Sequence, residues 1–224
     1  MPEFRWTYRP AAAVAAMPAA APARPPAAAP VHIETNGFVL RSLTAADANP
    51  RFAQWLNGTE MREGLNLPPL DFDVARLAAF IASFDGRQNH FIGIFDRGNG
   101  LLVGFYTLDV NLTHRVASMT AGIGEAAYRG QRVYWRTIDA LLDHFFLYRE
   151  VEKVTARVLA RNRAMLFNFV DNPRFVHEAR LKDECRAPDG TRLDVLVFAA
   201  FPGATGVADA AGMPREARGS SDTP

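Results

Sequence analysis

Residues 115–160 read RVASMTAGIGEAAYRGQRVYWRTIDALLDHFFLYREVEKVTARVLA. The apolar pattern changes twice along this stretch. Residues 115–124 read as a strand that ends in Gly122-Ile123-Gly124. Glycine inside a strand marks a bulge or a close approach of another backbone. Val133–Arg149 repeats at helical spacing, with Ile138, Leu141, Leu142, Phe145 and Phe146 on one stripe. Lys153–Ala160 then alternates and reads as a second strand. A strand, a crossover helix and a strand make a βαβ unit, whose strands run parallel in one sheet.

The flanks supply antiparallel partners. On the N-terminal side, Phe38–Leu43 alternates after an Asn36-Gly37 turn. Thr44 is placed to cap a helix, with Asp47 standing in for the usual Glu or Gln of a capping box. A second helix begins near Asp73 and carries Leu77, Phe80, Ile81 and Phe84 at helical spacing. Strands His90–Phe95 and Leu101–Val110 flank the turn DRGNG, which signals a hairpin. On the C-terminal side, Asn162–Val170 reads as a short helix. Strands Phe175–Leu181 and Arg192–Ala200 follow, joined around the turn APDG. The order β-α-α-β-β-β-α-β-α-β-β predicts a mixed α/β fold: a mostly antiparallel twisted sheet with helices on both faces.

The 224 residues are 49% hydrophobic, enough for one well-buried core. Residues 1–30 are rich in alanine, and proline breaks every alanine run. Residues 202–224 are rich in Gly, Ala, Pro and Ser. Both are expected to be flexible tails around one domain at 31–201. Phe4, Trp6 and Tyr8 form a lone aromatic cluster in the first tail. Glu3, Pro18 and Pro22 argue against a secretory signal. A net charge of +1 gives no field for nucleic acid or an anionic membrane. No apolar run is long enough to span a bilayer. Cys185 is the only cysteine, so no intrachain disulfide forms and no cysteine metal site is indicated; a cytoplasmic location is expected. Arginine outnumbers the two lysines, Lys153 and Lys182, which reads together with the many alanines as coding bias.

Five pieces, in order, carry a resemblance. They are Leu40-Arg41-Ser42-Leu43-Thr44 with Asp47; Gly104; Tyr128-Arg129-Gly130-Gln131; Val154–Ala160 followed by Asn162; and Phe175, Glu178, Asp189, Gly190 and Asp194. Together they resemble the GNAT (GCN5-related N-acetyltransferase) family over residues 33–200, in particular the branch that acetylates ribosomal-protein N-termini. The resemblance implies acetyl-CoA or another acyl-CoA as co-substrate, a small-molecule or peptide amine as acceptor, and a homodimer or protein partner.

A helix N-terminus has unpaired N–H groups and a positive dipole end, which suits a pyrophosphate. By resemblance, the donor would lie along Ile123 and Gly124 and at Arg129, Gly130, Gln131, Arg132, Val133 and Tyr134, with Asn162 opening the next helix. The family's R-G-x-G-x-G pattern is altered, with Arg132 and Tyr134 in place of its second and third glycines. Backbone donors survive this change, and Arg132 could itself pair with a phosphate. The usual catalytic positions are altered too. Phe169 stands where the family often has a proton-donating tyrosine, and Arg157 where some members have a glutamate. Arg174 replaces the glycine of the family's Gly-Phe pair.

The substitute candidates are Glu125 as a base and Tyr134 as an acid. Tyr128 reads more readily as a packing aromatic and His114 and His144 as surface groups, and His177 and Cys185 lack the partner pattern of a Cys/His nucleophile. Asp139 and Asp143 read as a solvated face pairing with Arg136. Three readings follow: an N-acyltransferase working by direct attack, a non-catalytic binding module on the same fold, and an acyltransferase fed by an acyl carrier protein.

Overall fold

The computed structural model describes residues 29–203. The aromatic cluster, nearly all of segment 1–30 and most of 202–224 lie outside the described residues.

Among the described residues eight strands form one sheet: β1 (His32–Thr35), β2 (Phe38–Ser42), β3 (Asn89–Asp96), β4 (Leu102–Asn111), β5 (Val116–Ile123), β6 (Lys153–Leu159), β7 (Val176–Arg186) and β8 (Arg192–Ala200). Their spatial order is β1-β2-β3-β4-β5-β6-β8-β7. Only β5 and β6 pair in parallel, as the strand-helix-strand reading of 115–160 requires. Among the described residues five α-helices accompany them: α1 (Pro50–Asn57), α2 (Thr59–Leu65), α3 (Val74–Ala82), α4 (Val133–Tyr148) and α5 (Arg163–Val170). The mixed sheet agrees with the expected fold class.

Each face of the sheet has its own core. Residues of α4 (Val133, Ile138, Leu141, Leu142, Phe145) join residues of the central strands in one cluster. A fully buried side chain of this kind contributes about 1.5–3 kcal/mol, so the α4 stripe alone anchors that face. The second cluster gathers Phe52, Leu56, Leu77 and Ile81 of α1 and α3 against Phe91 and Phe105.

Several elements differ from expectation. Thr44 and Asp47 form the capping box, with the Thr44 N–H donating to Asp47 Oδ2 at 2.8 Å, but it closes a single 3-10 turn, Ala45–Asp47. The helix proper starts at Pro50. Asn49 is its N-cap, with Oδ1 accepting from the Phe52 N–H at 3.0 Å, and proline at N1 needs no donor there. Helix α2 was not expected, because its only buried residue is Met61 and no side chain caps it. Strand β1 is four residues long and pairs only with β2. Strand β7 runs beyond the expected Leu181 to Arg186 as an exposed, bulged edge strand, and its charged end gives no buried-strand pattern. Asp143 pairs with Arg174 at 2.7 Å rather than with Arg136. Arg136 instead lies 4.7 Å from the centre of the Phe38 ring. Among the described residues no helix is long and apolar enough to cross a membrane.

Candidate active site

The site is built on an interrupted strand pair. β5 and β6 pair only over four positions, from Val116↔Lys153 to Met119↔Ala156. β5 then stays with β4 through Gly104↔Ile123, while β6 stays with β8 through Leu159↔Val195. The two strands therefore fork after Met119 and Ala156. In a sheet, successive residues turn their backbone groups to opposite neighbours. Alternate positions of Thr120–Ile123 thus face the fork with no strand to pair them.

A cleft of about 260 Å³ lies at the fork, lined by Ala121, Gly122 and Ile123 of β5, by Asn162 and Met165 at the start of α5, and by Arg129 and Gly130. A larger cavity of about 470 Å³ lies under α1–α3 and takes in Thr107, Thr120, Arg157, Leu159 and a set of phenylalanines. Gly64 and Leu65 of α2 line both spaces, so the unexpected helix is the partition between them. Asn162 fastens it: its Nδ2 donates to the Gly64 carbonyl at 3.0 Å while its Oδ1 caps α5 through the Met165 N–H at 3.1 Å.

At the head of α4, Gly130 has φ of 73° and Arg132 has φ of 55°. Both are left-handed, and Arg132 is the residue standing where the family pattern has glycine. Its side chain is exposed. Among the described residues no protein acceptor meets the N–H groups of Arg132, Val133, Tyr134 or Trp135. Four free donors at the positive end of a sixteen-residue helix are a ready anion cradle.

The expected donor-site residues divide. Ile123, Arg129, Gly130 and Asn162 line the cleft. Arg132, Val133 and Tyr134 supply backbone donors. Gln131 is turned back, with its N–H on the Tyr128 carbonyl at 3.3 Å and its Nε2 on the Ala127 carbonyl. Gly124 needs correction. Its N–H donates to the Val103 carbonyl at 3.0 Å, so it is not free to pair with an incoming arm. A Cβ there would meet the Trp55 ring at 2.0 Å, so glycine is required by packing.

Neither catalytic candidate, Glu125 or Tyr134, lines either space. Glu125 is bound by Arg51 at 2.7 Å. Tyr134 is 4% exposed and packs between Tyr106 and Phe169. Its hydroxyl has no partner among the described residues, and burial raises its pKa well above the ordinary phenol value. Phe169, at the family's tyrosine position, is likewise a core residue, stacked on Phe198 at 5.2 Å. Arg157 does reach the larger cavity, paired with Glu184. Sequence reasoning missed Glu60, Gly64 and Leu65 of α2 and the phenylalanine wall. The phenylalanines were visible only as helix and strand core positions.

Arg129 spans the cleft mouth. It donates to the Ile123 carbonyl at 3.3 Å and the Gly124 carbonyl at 3.1 Å, and its Nη1 pairs with Glu60 of α2. Among the described residues Glu60 is the only carboxylate lining either space. Among the described residues no group of three or more His, Cys, Asp or Glu side chains gathers to hold a metal.

Comparison with known proteins agrees with this geometry. The family model described as acetyltransferase (GNAT) domain matches residues 38–166. Among solved structures, a RimL ribosomal L7/L12 alpha-N-protein acetyltransferase superposes with a TM-score of 0.66 at 15% identity, covering 77% of this chain and 94% of that one. Spermidine N-acetyltransferase from Vibrio cholerae, solved with CoA and spermine, gives 0.66 at 19% identity, covering 75% and 97%. A ribosomal-protein-S5-alanine acetyltransferase from Vibrio fischeri gives 0.62 at 14% identity, covering 76% and 96%. No curated protein sequence matches the chain.

Proposed function

The chain belongs to the GNAT acetyltransferase family, and from that premise we propose that it is an N-acyltransferase that moves an acyl group, acetyl in the first instance, from acyl-CoA to a primary amine by direct attack. The observation that carries this reading is the fork between β5 and β6, with a separate space on either side of it. A donor arm and an acceptor can each occupy one space and meet at the parting. The two substitutions that threatened the site leave it open. Arg132 is exposed and keeps its N–H free, and Tyr134 turns inward to the core.

The bound donor would supply an activated thioester; the protein supplies position and charge. The free N–H groups from Arg132 to Trp135 suit a pyrophosphate. Backbone donors of β5 beyond Met119 are placed to meet the negative charge that develops on the thioester oxygen. The larger cavity is mostly apolar, which disfavours an ammonium and delivers the amine neutral. Among the described residues no His, Tyr or unpaired carboxylate lines either space. The proton lost by the attacking nitrogen is therefore passed to the leaving sulfur directly or through solvent, and no enzyme-bound acyl group is needed.

Calorimetric titration with acetyl-CoA and with CoA tests the reading. Saturable binding of both is expected. Absence of heat from both, with no shift in melting temperature, would remove the donor and the function with it.

A further inference from the structure

The larger cavity has a chemical character that the activity alone does not specify. Phe72, Phe80, Phe91 and Phe105 form a continuous wall, with neighbouring ring centres 5.4, 5.7 and 5.5 Å apart. Phe80 is 39% exposed, and its place on this wall accounts for a large apolar side chain being left open to solvent. Leu70, from the segment between α2 and α3, adds a further apolar side.

Four uncharged polar side chains line it: Thr107, Thr120, Asn66 and Cys185. Thr107 and Thr120 are register partners across β4 and β5, so their side chains lie side by side on the cavity floor. Thr120 is also the first β5 residue beyond the last β5–β6 pair. Two hydroxyls therefore mark the end nearest the fork, where an amine must be held to attack. Among the described residues the only charged side chain on the lining is Arg157, a cation already paired with Glu184. No carboxylate of the described residues lines this cavity. A second or third ammonium on an acceptor would be desolvated here beside a like charge, with nothing to neutralise it.

Resting on the acyltransferase reading above, we propose that the acceptor is a primary amine carried on an apolar, ring-sized group, with the nitrogen held by Thr107 and Thr120 and the ring against the phenylalanine wall. A polyamine or the polar end of a peptide fits this lining poorly.

The test compares 2-phenylethylamine, spermidine and a Ser-Ala-Ala peptide as acceptors, with acetyl-CoA as donor and release of free thiol as the readout. The expected result is a kcat/KM for 2-phenylethylamine at least tenfold above the other two. Equal or better use of spermidine or the peptide overturns the proposal. Leu70→Asp, which puts a carboxylate on the wall, should narrow the ratio between 2-phenylethylamine and spermidine at least tenfold; an unchanged ratio counts against the assignment of the cavity. If CoA binds but no amine is acylated, titration of 2-phenylethylamine into the CoA-saturated protein decides: saturable binding supports the cavity's assignment and its absence overturns it. If CoA does not bind, the donor reading fails by itself, and the same titration on the protein alone still decides the character of the cavity.

Discussion

Tyr134 brings a hydroxyl into the core, where no acceptor meets it. A buried polar group without a partner costs about 1–3 kcal/mol, so Tyr134→Phe should stabilise the protein by roughly 1 kcal/mol in urea unfolding. Acyl transfer should keep its rate, because the hydroxyl reaches neither substrate space. A tenfold loss of kcat with unchanged folding would return Tyr134 to the role of proton donor. Arg132 presents the opposite case, an exposed side chain on a strained backbone. Its left-handed φ of 55° costs an L-residue about 1–2 kcal/mol. Glycine recovers that cost but loses part of it to the freer unfolded chain. Arg132→Gly should therefore gain about 0.5–1 kcal/mol while Arg132→Ala gains nothing, since alanine keeps the Cβ. Equal midpoints for the two variants would show that the backbone there is not strained.

Among the elements, those that bury a regular stripe were legible and those that act as partitions were not. α4 and the strand pair around it follow from Ile138, Leu141 and Phe145 recurring at helical spacing. α2 buries one residue yet walls both substrate spaces, and nothing in Thr59–Leu65 announces that. Chain proximity to the loop does not fix direction: Glu125 turns to Arg51, and Tyr134 turns inward.

The contact between β3 and α4 has its own pH dependence. His90 is 2% exposed, edge-on to Phe145 at 4.9 Å. Burial, aided by the nearby Arg149 guanidinium, lowers its pKa from 6.5 to about 4. The folded state thus holds it neutral, while the unfolded chain takes a proton below pH 6.5. Stability should fall as pH drops from 6.5 towards 4, by at most about 3 kcal/mol at roughly 1.4 kcal/mol per pH unit. His90→Leu should flatten this part of the stability profile. An unchanged acid slope in that variant would place the proton uptake elsewhere.

At the scale of the molecule, the fork divides the sheet into β1–β5 on one side and β6, β8 and β7 on the other, joined in the sheet by four parallel residue pairs. The crossover helix α4 and the bond from Asn162 to the Gly64 carbonyl are further ties. The gap that makes room for a donor arm is therefore also where the sheet is least paired. A ligand lying in it would supply the backbone partners that β6 withholds from Thr120–Ile123, and would tie the halves together. At a hundredfold excess over Kd such binding adds about 2.7 kcal/mol, or roughly 5–10 °C in Tm for a chain of this size. Hydrogen exchange locates the gain. Amides of Thr120–Ile123 that face the fork should slow by at least tenfold with acetyl-CoA bound, and those in the β3–β4 ladder should change far less. Uniform slowing across the sheet would mean that the ligand stabilises the whole fold without entering the fork. Slowing confined to the residues at the head of α4 would mean that the phosphate end docks while the arm stays outside.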